Sequence, residues 1–501
     1  MAAQTHAGPT PAPDTRFFGH PRGLATLFFT EMWERFSFYG MRAILILFMT
    51  APATSGGLGF SVATAGVIYG LYTSMVYFLS VPGGWVADKI FGQRRAILYG
   101  GILIVLGQFS LGVPRVPFFY LGLVLLVLGT GLLKPNVSTV VGQLYATGDQ
   151  RRDAGFSIFY MGINLGAFIS PLAVGYVGQR VNWNLGFMLA GAGMIVGLIQ
   201  YVLGSRYLGN AGLHPVPAET PEARAKVHRT AGIGVAIFAL LLGAPLLLEA
   251  LGAIHITAAG LGDAVGIGLL VVTIAIFAWL LSRKDWTPVE RKRLIAIIAL
   301  FVASVFFWSA YEQAGSTLTL LADRSVHNSA FGVSFPSSWY QSVPAIFVIL
   351  LAPVFAWIWL RSNKHEPSTP AKFSIGLVLV GLGFVVIAIG AARAIHGVLI
   401  SPMWLIGGYF LHVCGEMCLS PVGLSALTKL APHRVAGFMM GVWFVTISMG
   451  DYVGGLFGSM YEKFSPPTLF TIVAAATIGF GLLMALLVKP IKRLMALEPN
   501  R

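Results

Sequence analysis

Long apolar runs, each about one bilayer deep, alternate with short polar connections along almost the whole 501-residue chain. A helix crossing the hydrocarbon core needs roughly 20 predominantly apolar residues. Runs of that length, bounded by charges or by Pro and Gly clusters, predict spans near 24–50, 62–86, 96–113, 117–140, 154–178, 184–204, 231–252 and 260–281. Six more fall near 293–321, 338–360, 373–392, 402–428, 436–460 and 467–488. Fourteen such elements predict an all-α membrane protein. Residues 1–22 are rich in Pro, Ala and Thr and have no apolar core, so they read as a disordered cytoplasmic tail and not as a signal peptide.

Composition agrees: 56% of residues are hydrophobic and 10% are charged. Soluble domains carry roughly 25% charged residues. This excludes a soluble enzyme, a disordered protein and a simple nucleic-acid binder. The formal charge of +14 is a topology signal. If the N-terminus is cytoplasmic, 25 of the 33 basic residues fall in the tails and cytoplasmic connections. Only Arg115, Arg180, Arg324, Arg393 and Lys463 occupy the opposite loops. The positive-inside rule then places both termini in the cytoplasm, as an even span number requires. Cys414 and Cys418 lie in one apolar run and read as small packing residues, not as a disulfide framework.

The spans divide as six, two and six. The expected organisation is a tail (1–22), an N-terminal six-helix bundle (23–204), a cytoplasmic linker (205–230), an inserted helix hairpin (231–281), a C-terminal six-helix bundle (282–490) and a cytoplasmic tail (491–501). The hairpin has no ionisable residue in its interior, which marks it as accessory.

The candidate chemistry is the charge that should not be there. An ionisable residue at mid-bilayer costs about 2.5–3.5 kcal/mol on insertion scales. Glu31, Glu34, Arg35, Arg42, Lys134, Glu312 and Glu416 stand well inside spans, with Asp451 nearer the outer end of its own. Glu31, Arg35, Tyr39 and Arg42 share one helix face, with Glu34 beside them. His412, Glu416 and Ser420 form a second stripe, Trp308 and Glu312 a third, Tyr160 and Asn164 a fourth. Such residues should face a shared polar cavity. Three cations against four central carboxylates leave one acid without a cation, and burial favours its neutral form. That is the requirement for proton-coupled work.

These residues carry motifs. Glu31-Met-Trp-Glu34-Arg35-Phe-Ser-Phe-Tyr39-Gly40 resembles the ExxERFxYYG signature of the proton-dependent oligopeptide transporter (POT/PTR) family, within the major facilitator superfamily. Gly131-Leu-Leu-Lys134-Pro135-Asn136-Val-Ser138, Phe159-Tyr160-Met-Gly-Ile-Asn164 and Gly415-Glu416-Met-Cys-Leu-Ser420-Pro421 are similar to its fourth-, fifth- and tenth-helix blocks. Gly84-Trp-Val-Ala-Asp88-Lys89 with Gly92-Gln-Arg94-Arg95 resembles the superfamily's loop between helices two and three.

The resemblance implies a major facilitator fold plus the inserted hairpin, and proton-driven uptake of di- and tripeptides by alternating access. It implies that Arg35, Arg42 and Lys134 hold the peptide carboxylate and that Glu416, with Ser420 nearby, receives the ammonium. Tyr39, Tyr77, Tyr160 and Asn164 are expected to bond the peptide backbone, with Trp308 and Trp443 lining side-chain pockets. Glu31, Glu34, Arg35 and Glu312 are the expected proton-coupling set, Glu312 also bordering the substrate. Arg42–Glu312 and Lys134–Glu416 are the expected gating salt bridges.

Two departures stand out. Pro344 occupies the position where the family usually has an Asn that helps hold the ammonium, and the second helix has no His. Coupling then rests on carboxylates or on His412, which otherwise reads as a packing residue. Rival readings are a carrier of nitrate, an amino acid or a peptide-like drug, and a fourteen-span drug/proton antiporter, whose GP-x-x-GG element is absent. A membrane enzyme would need a Ser/His/Asp set or a metal cluster, and neither is visible; a receptor or structural protein would leave the split charges unexplained. The expected partners are peptides, protons and the lipid bilayer. No metal, cofactor or nucleic acid is expected, and the monomer is expected to suffice. The short loop at 393–402 and the hairpin point to a bacterial inner membrane.

Overall fold

The computed structural model describes residues 14–146, 148–216, 220–330, 332–362, 365–394 and 397–495. The N-terminal six helices are α1 (Arg22–Thr50), α2 (Val62–Val86), α3 (Gln93–Leu111), α4 (Val116–Gln143), α5 (Arg151–Tyr176) and α6 (Trp183–Gly204). The hairpin is α7 (Pro221–Ala250) and α8 (Ala258–Ser282). The C-terminal half opens with α9 (Pro288–Tyr311), which breaks into a tight turn at Glu312–Gly315 and resumes as α10 (Thr317–Ser325). Then follow α11 (Val343–Ser362), α12 (Thr369–Ala394), α13 (Met403–Leu430), α14 (Ala436–Ser459) and α15 (Pro466–Met495). With α9 and α10 counted as one crossing, fourteen spans result, as expected from the hydropathy pattern. Twelve of these helical segments are long and apolar enough to cross a membrane on composition alone. The charges of α1 hold down its apolarity, yet the protein buries them.

Polar residues start several of these helices. Ser61 and Asn182 accept backbone N–H bonds at the starts of α2 and α6, and Thr287 with Glu290 forms a capping box on α9. Each satisfies donors that hydrocarbon would leave orphaned.

Several boundaries differ from expectation. Helix α7 begins at Pro221, inside the stretch read as linker, because Thr220 caps it and its Glu, Ala, Arg and Lys are strong helix formers even where polar. Helix α15 runs to Met495, past the expected bundle end at 490. The tail is not uniformly loose: Asp14 pairs with Arg22 at 3.1 Å, and buried His20 hydrogen-bonds Tyr145 at 2.9 Å. Residues 1–13, Lys364 and the tail from 496 lie outside the described residues.

The hairpin packs by one helix. On α8, Thr273 bonds Met449 Sδ at 3.2 Å and Phe277 meets Phe301 edge-on. No residue of α7 is buried. Beyond its polar first turns, from 231 to 248, α7 is apolar and exposed all round, as a lipid-facing helix is.

The two bundles meet closely along one half of α2 and α14 and separate along the other. In the packed half, a Cβ on Gly455 would stand 2.4 Å from Gly70 Cα, so only glycine permits this approach. Ser74 and Ser448 hydroxyls bond across the seam at 3.0 Å. On the same side Trp339 Nε1 donates to Leu172 O at 3.0 Å, and Ser342 to Phe168 O at 2.7 Å. In the separated half, Ser80 and Trp85 of α2, Asp88 just after it, and Phe438, Trp443 and Phe444 of α14 line a cavity instead. That open half lies at the basic end, where Arg151 reaches Gly19 O and Arg293 reaches Met495 O, so both tails are there.

Candidate functional site

The cavity measures about 1540 Å³ and lies between α2, α4 and α5 on one side and α11 and α14 on the other. Tyr160, Asn164 and Trp443 line it, with Phe159, Trp85 and Phe444. Asn164 Nδ2 donates to Tyr160 O at 2.9 Å, a backbone tie that leaves its side-chain oxygen for other partners. Pro135 and Ser80, which also line the cavity, adjoin Lys134 and stand one turn from Tyr77.

The other predicted residues do not line this cavity. Arg35, Tyr39, Arg42, Tyr77, Lys134, Trp308, Glu312, Glu416 and Ser420 lie outside its wall, mostly buried, so the expected single polar chamber is a cavity with a packed charged cluster. Desolvation explains this: unfilled polar space around charge in a low dielectric is unfavourable, and the groups pair with one another instead.

On α1, Arg35 pairs with Glu31 at 3.2 Å through Nε and also with Glu34. All three are nearly fully buried. Glu31 Oε2, Glu34 Oε1 and an Arg35 terminal nitrogen have no hydrogen-bond partner among the described residues. Two carboxylates on one guanidinium leave one net negative charge, which a proton or a second cation can neutralise.

Arg42, two turns on, bridges the bundles. It pairs with Glu312 at 2.6 Å, and its Nε donates to Tyr69 at 2.7 Å. Glu312 can reach it because α9 unwinds there: a Cβ on Gly315 would strike the Tyr69 hydroxyl and Arg42 Nε.

The second expected gate is not formed. Lys134 Nζ sits 3.5 Å from the centre of the Tyr77 ring, a cation–π contact. Glu416 instead accepts a hydrogen bond from Tyr311. Each of the two therefore has its own neighbour within its own bundle, Tyr77 on α2 for Lys134 and Tyr311 on α9 for Glu416. Ser420 is half-buried one turn beyond Glu416. Trp308 is buried against Tyr311, 5.6 Å between ring centres, with its indole nitrogen unpartnered among the described residues.

His412 is a packing residue. Its ring lies 4.7 Å from the Phe384 ring and against Gly383. Cys414 and Cys418 are free and buried. Pro344 lies in the first turn of α11, where its missing N–H breaks no helical bond. No group of three or more metal-ligating side chains occurs among the described residues.

Sequence reasoning missed Tyr69 and Tyr311. Tyr69, Thr73 and Tyr77 recur at four-residue spacing on α2, and Tyr311 precedes Glu312 directly; both were signals available in the chain.

The chain is similar to known proteins over almost its full length. The family model described as the POT family matches residues 94–472. An uncharacterized transporter of Bacillus subtilis is 42% identical over 484 residues, covering 96% of each chain. A peptide transporter of Yersinia enterocolitica, YePEPT, is 40% identical with the same coverage. A crystal structure of a peptide transporter POT in complex with sulfate superposes with a TM-score of 0.91, at 42% identity, covering 96% of this chain and 97% of that one. A fourteen-span bundle pair with this site and these likenesses is a multi-pass protein of the bacterial inner membrane, and the chain belongs to the POT family.

Proposed function

We infer that the protein is a proton-coupled symporter that imports di- and tripeptides by alternating access. One observation carries the reading: fixed cations stand buried on one bundle and a carboxylate on the other, with a cavity between the two bundles. Arg35, Arg42 and Lys134 belong to α1 and α4, while Glu416 belongs to α13. A peptide is a zwitterion, so its carboxylate suits the first set and its ammonium the second. Recognition through the two charged ends leaves the side chain free, and the cavity exceeds the roughly 300–1,000 Å³ of common small-molecule sites. Tyr39, Tyr77, Tyr160 and Asn164 are in this reading the backbone partners, with Trp308 and Trp443 bounding side-chain space.

The basic end is the cytoplasmic one by the positive-inside rule. The state is then inward-open, closed outside by the α2–α14 seam and by Arg42–Glu312. A proton on Glu34 or Glu31 weakens its pull on Arg35 and frees that cation for a peptide carboxylate. A bound peptide and a bound proton thus favour the same rearrangement, which is the differential affinity that alternating access needs. Glu416 released from Tyr311 can meet Lys134 when the basic end closes. The proton gradient is the driving force, with no cofactor, no catalytic step and one chain as the working unit. The twelve-helix core (23–204 and 282–490) does this work, and the α7–α8 hairpin is accessory.

A second reading, a carrier of another carboxylate-bearing solute or nitrate, is favoured by Pro344, which offers an ammonium no acceptor side chain. Uptake into proteoliposomes under an inward proton gradient separates the two. Accumulation of dipeptides but not of nitrate supports peptide symport, and the reverse removes it.

A further inference from the structure

Every buried carboxylate discussed so far has a partner: Arg35 for Glu31 and Glu34, Arg42 for Glu312, Tyr311 for Glu416. Asp451 does not. It is 1% exposed, and neither carboxylate oxygen has a hydrogen-bond partner among the described residues.

Its position is the middle of the seam that closes the outer end. Ser448, three residues before it, bonds Ser74; Gly455, four residues after it, meets Gly70. Its own backbone carbonyl lies 3.3 Å from where a Gly70 Cβ would stand. Asp451 does not line the cavity. The charged and titratable groups whose fields reach it are Arg42 on α1, Tyr69 and Tyr77 on α2, Lys134 on α4 and Glu312 at the α9 break. From α8, Asp263 faces the neighbouring Tyr452. Of the two cations, Arg42 is committed to Glu312 and Tyr69, and Lys134 Nζ sits over the Tyr77 ring without a bond to Asp451.

An ionised carboxylate sealed without cation or donor costs several kcal/mol, so the seam closes around the neutral acid. When α2 and α14 part, water enters the seam and the ionised form becomes acceptable. We propose that Asp451 is a further proton-binding residue of the transport cycle, taking up a proton as the outer seam closes. An O–H bond forms on Asp451 with a proton from outer water, and the same proton returns to that side on reopening. It therefore tunes closure to external acidity without adding to the number of protons carried. The inference rests on the alternating-access reading above.

Its consequence is linkage. While open-state Asp451 is ionised, closure is favoured by about tenfold per pH unit of acidification from this site alone. The test is the distance between spin labels on Ser55→Cys and Lys463→Cys, both exposed at the outer end, in lipid nanodiscs over a pH series. The unmodified seam is expected to move from open to closed as pH falls. Asp451→Asn, which mimics the neutral acid, is expected to stay closed across the series, losing up to that tenfold-per-unit dependence. Asp451→Ser replaces it if the Asn variant does not reconstitute. An infrared difference spectrum is expected to lose one protonated-carboxyl C=O band in either variant. Two distance populations whose pH response is unchanged by Asp451→Asn overturn the role of Asp451 and leave alternating access intact. One population under all conditions, dipeptide included, overturns alternating access and this inference with it.

Discussion

Arg42 of α1 and Glu312 at the break after α9 form a 2.6 Å ion pair that ties the two bundles together at the closed end of the molecule. Both are almost fully buried, and Tyr69 holds the guanidinium from the side. Removing one partner of a buried pair costs about 3–5 kcal/mol, because the other charge is left uncompensated. Glu312→Ala is therefore expected to reduce the outer-closed population by about a hundredfold or more and to abolish gradient-driven uptake. Distance measurements between outer-end labels, read beside uptake, check this; an unchanged closed population contradicts it.

Glu34 shares Arg35 with Glu31, and each acid keeps one oxygen without a partner. Glu34→Gln keeps the shape and removes the exchangeable charge. The expected outcome is loss of accumulation driven by a pH gradient, with peptide counterflow preserved and no longer dependent on pH. Retained accumulation with lost counterflow would sink the assignment.

Gly70 and Gly455 let α2 and α14 touch backbone to backbone. A side chain forced into such packing costs about 1–3 kcal/mol. Gly455→Leu should bias the carrier toward an outer-open state and lower the uptake rate without removing peptide binding, checked by equilibrium binding beside transport. A normal uptake rate in this variant argues that the seam is not a working interface.

Tyr311 donates to Glu416. Losing a hydrogen bond to a charged group costs about 1.5–3 kcal/mol. Where Tyr311 positions Glu416 for the ammonium, Tyr311→Phe weakens dipeptide binding by roughly 10- to 100-fold and leaves an N-acetylated dipeptide unaffected. Equal loss for both ligands would instead mean general damage to the site.

The fourteen spans were legible because hydrocarbon imposes a length and an apolarity that few other constraints imitate. The misplaced charges were legible for the same reason: Glu31, Glu34, Arg35 and Arg42 violate the composition of a span, and α1 buries all four. Partnership was less visible. Arg42 does meet Glu312, whereas Lys134 rests on Tyr77 and Glu416 accepts from Tyr311, because spacing along one helix does not report which residue of another helix stands opposite. Tyr69 and Tyr311 escaped notice since tyrosine in a span usually packs. The polar start of α7 was misread for a local reason: sequence polarity reports solvent exposure, not the absence of a helix.

Proton-coupled symport requires that peptide and proton move together through one protein. Proteoliposomes holding a pH-sensitive dye test it directly, with labelled dialanine added outside under a membrane potential and no initial pH gradient. Dialanine entry is expected to acidify the lumen in proportion to peptide taken up, and Glu34→Gln to remove the acidification. Dialanine entry at the normal rate with no accompanying proton flux would contradict it.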